Sequence, residues 1–414
     1  MASSHRKAFV RVLLIGGLVT GMSGLSAGTA LATTSSWVGG TLTVTTGGGV
    51  NVTCASDALL VNGADPDDGP ASCLGTHLIR VFGDVAVNTI DLSGVFAADF
   101  PGGASTEVFG SDGADVITGS ELPNQISGEI GADVITGGNA NDVISGGDGA
   151  DDINSGAGND IIDGGIGADQ IDAGSGNDII AGGDGADGIN GGVGTDTLRE
   201  SADVSFALTD STLTGLGADI LTSIEVAKLA GGVSANTIDA STFSGSTVLN
   251  GGPGDDILTG GTNKDVLKGS TGDDTINGGA GNDTVMETAD VNFTLTDTSL
   301  TGLGTDTLTS IEGAKLAGGV SANTIDASTF SGPTVLSGGK GDDVLTGGSG
   351  NDRLRGSSGN DTLTGGAGSD VLRAGAGNDS LNSVDGLAND VDHGDNGTDT
   401  CTNDIGDARW SCEL

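Results

Sequence analysis

Between Gly110 and Arg199 one large apolar residue stands at every ninth position: Ile117, Ile126, Ile135, Ile144, Ile153, Ile162, Ile171, Ile180, Ile189 and Leu198. Two positions before each stands an acid or its amide: Asp115, Asn124, Asp133, Asp142, Asp151, Asp160, Asp169, Asp178, Asp187 and Asp196. One large apolar side chain in nine cannot build the apolar face of a helix or of a long strand. It suits a parallel coil in which each nonapeptide, such as GGDGADDIN from Gly146, is a turn followed by a very short strand. Glycines at places two and four supply backbone angles that residues with a Cβ resist. The apolar residue at place eight then points inward, and its neighbours at seven and nine point out. Two nine-residue units would close one coil with a strand on each side. The predicted fold is all-β, a parallel β-roll or β-solenoid, with Asp115, Asp133, Asp151, Asp169 and Asp187 along one edge and Asn124, Asp142, Asp160, Asp178 and Asp196 along the other.

After Arg199 the period is interrupted. Residues 200–230 alternate in VSFALTD and SIEVAKLA, which reads as ordinary strands and leaves open whether they continue the roll or leave it as a hairpin. The period resumes with GGVSANTID at Gly231, and four units from Gly251 place Asp256, Asp265, Asp274 and Asp283 at position six. The same arrangement recurs 87 residues on: AKLAGGVSANTIDASTFSG is identical from Ala227 and from Ala314, residues 287–317 repeat the open question, and five units bring Asp343, Asp352, Asp361, Asp370 and Asp379. Doubling a block without disturbing the register fits a solenoid, whose units touch mainly their neighbours. Such a doubling would be hard to accommodate in an active site.

The ends differ. Residues 1–32 have the form of a secretory signal, with His5, Arg6, Lys7 and Arg11 ahead of an apolar segment and Ala30-Leu31-Ala32 as cleavage site. A G-x-S-x-G at Gly24–Gly28 falls inside this leader and carries no catalytic meaning. Residues 33–109 hold strand candidates such as LIRVF from Leu78 and are expected to cap the roll, although GDVAVNTID from Gly83 already fits a first coil. Cys54 and Cys73 are placed to pair, as export permits. A second cap, residues 383–414, contains GDNGTDTCT with Asp399 at place six, and a disulfide between Cys401 and Cys412 is expected to close it; a zinc site is disfavoured because His393 is the only nearby imidazole. The chain thus divides into a signal (1–32), an N-terminal β cap (33–109), the roll (110–199), two duplicated blocks (200–286 and 287–382) and a C-terminal cap (383–414).

Charge then decides the chemistry. The chain carries 14 Lys and Arg against 57 Asp and Glu, a net charge of −43. Coils stack about 4.8 Å apart, so the sixth-place carboxylates would repel one another, and Arg199 is the only basic residue in the first array. A hard dication with six to eight oxygen ligands resolves this, and calcium tolerates irregular carboxylate and carbonyl sets better than magnesium. The units resemble the RTX (repeats-in-toxin, or hemolysin-type) nonapeptide GGxGxDxUx. That resemblance implies a calcium-bound β-roll in which the sixth-place aspartates share several ions: Asp115, Asp133, Asp142, Asp151, Asp160, Asp169, Asp178, Asp187, Asp196, Asp256, Asp265, Asp274, Asp283, Asp343, Asp352, Asp361, Asp370 and Asp379. Many members of that family have neither an N-terminal signal nor cysteines; this chain is more similar to bacterial calcium-binding repeat proteins exported by the general pathway.

The function expected is that of a secreted, extracellular, non-enzymatic calcium-binding protein that folds on binding Ca2+ and serves as an envelope, matrix or adhesion element. The alternative is an exported hydrolase that uses the repeats as a folding aid. No H-E-x-x-H occurs, and only His77 and His393 remain after the leader, although a carboxylate-pair glycosidase stays open by motif because acids are everywhere. The acidic balance argues against nucleic acid and anionic lipid, which need a positive footprint, and nothing beyond the leader is apolar enough to insert in a membrane. The partners expected are calcium ions and cell-surface or matrix components. An ice-binding face is disfavoured by the irregular residues at place seven.

Overall fold

The computed structural model describes residues 34–38, 41–46, 49–55, 58–61, 71–72, 76–387 and 389–412. The leader and Cys73, and with it the Cys54–Cys73 pairing, lie outside the described residues. Two long, mainly parallel sheets face each other across one continuous core, and the only helical element among the described residues is a single 3-10 turn, Ala97–Asp99. The chain passes from one sheet to the other and back. In sheet A, Asn124–Ile130, Val143–Asp148, Ile161–Ile166 and Ile179–Asp184 lie side by side, so that Ile126, Ile144, Ile162 and Ile180 stack at steps of eighteen residues. In sheet B, Val116–Thr118, Val134–Gly138, Asp152–Gly156, Gln170–Asp172 and Gly188–Asn190 stack Ile117, Ile135, Ile153, Ile171 and Ile189 in the same way. Strand alternation alone sets direction here: Ile162 is 1% exposed, while its equally apolar neighbour Ile161 is 48% exposed.

Pairing does not begin at Gly110. Thr41–Thr45 pairs with Leu78–Phe82, which pairs with Ser105–Asp112 and so with Asn124–Ile130. Gly49–Ala55, Thr89–Gly94 and Val116–Thr118 are joined likewise in sheet B. Much of the segment expected as a cap is therefore roll. Its strands TLTVT and LIRVF each bury two large residues, Leu42 with Val44 and Ile79 with Val81, so these coils have more core per turn than the nonapeptides. The edge of sheet A is covered by Thr34–Val38, which runs antiparallel to Thr41–Thr45.

Residues 200–230 both continue the roll and form a hairpin. In sheet A, Thr197–Ser201 pairs directly with Val226–Ala230. In sheet B, three strands stand between Gly188–Asn190 and Thr237–Thr242: Ala218–Thr222, then Thr212–Thr214, then Phe206–Thr209, with antiparallel pairing among them. The second block repeats this with Thr305–Thr309, Ser299–Thr301 and Phe293–Thr296. Sheet B gains strands that sheet A lacks, and the four largest fully buried side chains, Phe206, Phe243, Phe293 and Phe330, fill the core at these places.

A third copy of the hairpin lies near the start of sheet B, after Thr41–Thr45. Gly49–Ala55, Ala58–Val61 and Ala71–Ser72 pair antiparallel. Val50 opposite Ile90 and Asn51 opposite Asp91 repeat the register of Phe206 opposite Ile238 and Ala207 opposite Asp239, with the same shift one residue later. Asn-Thr-Ile-Asp stands at the matching place in all three, at 88–91, 236–239 and 323–326. At the other end Cys401 occupies a core position in the last coil and forms the expected disulfide with Cys412.

Candidate metal centre

Each nonapeptide turn brings its sixth residue inward just before the short strand, because places six and eight share one face. The backbone N–H of each such residue donates to the carboxylate of the sixth-place aspartate one coil on. Asp133 N–H meets Asp151 Oδ1 at 2.8 Å and Asp151 N–H meets Asp169 Oδ1 at 2.8 Å along one edge. Asp142 N–H meets Asp160 Oδ1 and Asp160 N–H meets Asp178 Oδ1, both at 2.8 Å, along the other. The two rows expected from the sequence therefore exist, as continuous hydrogen-bonded ladders.

One oxygen of each carboxylate is thus engaged, and the other is stranded. Asp115, Asp133, Asp142, Asp151, Asp160, Asp169, Asp178, Asp187 and Asp196 each hold a buried Oδ2 without a hydrogen-bond partner, as do Asp256, Asp274, Asp283, Asp343, Asp361, Asp370 and Asp379. Buried carboxylate oxygens are costly unless paired, so a row of them needs a common cause. Two of the eighteen aspartates differ. Asp265 Oδ2 accepts the Gly261 N–H and Asp352 Oδ2 accepts the Gly348 N–H, both at 2.7 Å, which leaves them the least free to hold an ion.

The stranded oxygens share space with backbone carbonyls. A Cβ on first-place Gly110 would lie 2.6 Å from Asp115 Oδ2 and 2.6 Å from the Gly128 carbonyl oxygen one coil on; on Gly164 it would lie 2.6 Å from both Asp169 Oδ2 and the Gly182 oxygen. Most units keep a glycine at place one, which leaves this space open; Ser155, Ala173 and Ala374 stand there instead in the units of Asp160, Asp178 and Asp379. No three His, Cys, Asp or Glu side chains converge on one point among the described residues, so an ion held here would take paired carboxylates completed by carbonyls, the mixed oxygen set that suits calcium.

Electrostatics point the same way. Burial pushes Asp133, Asp142, Asp169 and Asp178 up to about 6, with neighbouring ladder carboxylates adding to the rise. Asp274, Asp283, Asp361 and Asp370 behave alike. Without a cation between them, these groups resist ionisation.

The ladders also contain residues that the period did not reveal. Asp219 and Asp306 accept the N–H groups of Asp187 and Asp274 at 3.1 Å, and burial raises them to about 6 and about 7. Their segments, TGLGADILT from Thr214 and TGLGTDTLT from Thr301, are nonapeptides with Thr in place of the first Gly, a signal the sequence did contain. Glu225 and Glu312 replace the aspartate in the other row, accepting from Asp196 and Asp283 at 2.9 and 2.8 Å. Near the C-terminus, Asp390, which the period did not mark, and Asp399, which stands at place six of GDNGTDTCT, extend the two rows. Asp392 stands opposite Leu372 at a fully buried core position, its Oδ1 unpartnered and its carboxyl pushed up to about 6 by burial; nothing in the nine-residue pattern marks it.

A family model for the RTX calcium-binding nonapeptide repeat, in four copies, matches residues 102–121, 109–144, 127–162, 163–198, 241–267, 250–285, 328–363 and 355–386. The nonapeptides belong to the RTX calcium-binding repeat family. The chain is a calcium-binding repeat protein folded as a β-roll, and the RTX matches break off over the two internal hairpins. No curated protein matches the chain. No helix among the described residues is long and apolar enough to cross a membrane.

Proposed function

We propose that this RTX chain is a secreted, non-enzymatic structural protein that folds on binding several calcium ions and works as an envelope, matrix or adhesion element. The observation that carries the reading is the double row of buried, unpartnered Oδ2 atoms, most of them close to where a first-place Cβ would stand and, in units such as those of Asp115 and Asp169, close to a carbonyl of the next coil. A hard dication supplies the positive charge that these rows lack. The sixth-place aspartates hold it, the first-place glycines leave it room, and the Oδ1 to N–H ladder fixes the carboxylates so that one coil orients the next. Folding then follows calcium, because the unfolded chain offers no such preformed set. The non-enzymatic part is supported by the scarcity of imidazoles: His77 is exposed and His393 lies stacked on Trp410 at the last coil.

Calcium titrated into the chelated chain should produce a cooperative gain of β signal in far-UV circular dichroism between about 0.1 and 10 mM, with magnesium unable to replace it. A chain already folded in chelator and indifferent to calcium would end the proposal. Ion counting by equilibrium dialysis should separate two kinds of ladder aspartate. Asp169→Asn should lower the number of ions bound by at least one, whereas Asp265→Asn, whose oxygens are both taken by backbone N–H groups, should leave the number unchanged; equal losses would contradict this assignment of the stranded oxygens.

A further inference from the structure

Basic residues are few, yet their placement is one-sided. Three of the 14 Lys and Arg lie within residues 1–32, leaving 11. Seven of these 11 project outward from one stretch of sheet A, between Thr197–Ser201 and Val371–Ala376, and no Asp or Glu projects outward from the strands there. Over the same length, the outward positions of sheet B carry Asp239 and Asp326 and no basic residue at all. A random scatter of cations on so acidic a chain would not empty one face of them and clear the other of acids.

The cations run in a diagonal stripe. Arg199 lies beside Lys228 on adjacent strands. Lys268 and Met286 directly follow the paired Leu267 and Val285, Met286 stands opposite Lys315, and Val335 stands between Lys315 and Arg353. Arg355 then pairs with Arg373. The middle members therefore recur on every second strand, about 10 Å apart at about 4.8 Å per strand. Arg373 is held by Asp395 at 2.6 Å, whereas Arg353 and Arg355 have no ion pair among the described residues. Between the cations the surface is low and uncharged, with Val335 42% exposed, and a depression of about 310 Å³ is lined by Lys315, Val335 and Arg353.

We infer that this face binds an acidic polysaccharide laid along the roll. The middle cations, Lys268, Lys315 and Arg353, about 10 Å apart, match a polymer of sparse charge, while duplex DNA presents one negative charge per about 1.7 Å and would meet mostly uncovered phosphates and the repulsion of the acidic turns. Exposed Val335, between Lys315 and Arg353, offers apolar contact to a sugar-ring face. The inference names the partner of the matrix reading and rests on it, but its test fails separately.

Binding would be measured on the full chain in saturating calcium with hyaluronate, which carries one carboxylate per disaccharide, against neutral dextran and duplex DNA. Hyaluronate should bind and weaken with added salt, and the combined Lys315→Ser, Arg353→Ser and Arg355→Ser variant should lose affinity by at least about tenfold while its circular dichroism and calcium titration stay unchanged. If the triple variant folds poorly, Arg353→Gln with Arg355→Gln is the substitute, with a smaller loss expected. Unchanged affinity in a folded variant, equal binding of dextran, or tighter binding of DNA would overturn the inference. Failure of calcium-coupled folding would instead appear in the circular dichroism before any glycan is added.

Discussion

Acidified from about pH 7 to about pH 5 in the absence of calcium, the chain is expected to gain β-structure, the reverse of ordinary acid denaturation. The sign follows from the ladder. Burial holds Asp133, Asp142, Asp169, Asp178, Asp274, Asp283, Asp361 and Asp370 at about 6 in the folded state, against an ordinary value of 3.8. Between those values the folded chain binds more protons than the unfolded one, so each added proton favours folding. The contribution is complete below the ordinary value and disappears as pH rises through about 6. Protons would thereby do in part what calcium does, removing charge from stacked carboxylates. With calcium present the direction reverses, because protons compete for the same oxygens. Circular dichroism followed against pH in chelator, and again in calcium, tests both halves; a calcium-free chain that loses β signal on acidification would contradict the ladder's electrostatics.

Replacing Gly167 by Ala should cost far more than a glycine-to-alanine change normally does. Gly167 is the fourth residue of its turn, at φ 155°, and the position its Cβ would take is filled by the carbonyl of Gly149, the same place one coil earlier. Gly149 in turn stacks on Gly131 and Gly176 on Gly158, so the turn cannot move aside without opening the next. A loss above about 4 kcal/mol is expected, the range reserved for changes that a fold cannot absorb. Gly103 is the control: its φ of 79° is also left-handed, yet nothing lies within 4 Å of its would-be Cβ, so Gly103→Ala should cost only about 1–2 kcal/mol. Urea midpoints in calcium compare the two, and equal costs would mean that strain in φ, and not stacking, governs the turn.

The eighth-place isoleucines and sixth-place aspartates revealed the roll, its eighteen-residue coil and both carboxylate rows, because each unit has the same length and a period is visible only where lengths are equal. The hairpins hide from such a reading. They add residues to one coil without changing the pairing that follows, so Asp219 and Glu225 stand in the ladders at separations of 32 and 29 residues. The identical segments from Ala227 and Ala314 marked two like interruptions without telling whether they leave the roll as hairpins, while the third hairpin, around Val50 and Val52, kept the register and, of the sequence, little beyond Asn-Thr-Ile-Asp. Likewise, the direction of a charge cannot be seen in a count: the acidic total concealed the basic face until strand alternation sorted the residues by sheet.

The joints on either side of the duplicated block are nearly superposable in their contacts. Asp196 meets Glu225 at 2.9 Å and Asp283 meets Glu312 at 2.8 Å; Asp187 meets Asp219 and Asp274 meets Asp306, both at 3.1 Å. A chain lacking one block could therefore close Asp196 directly onto Glu312 with every donor satisfied, shortened by four strand spacings of sheet A, or about 19 Å. Reach is thus a quantity that this architecture can set in steps, independently of the ions that hold each step together.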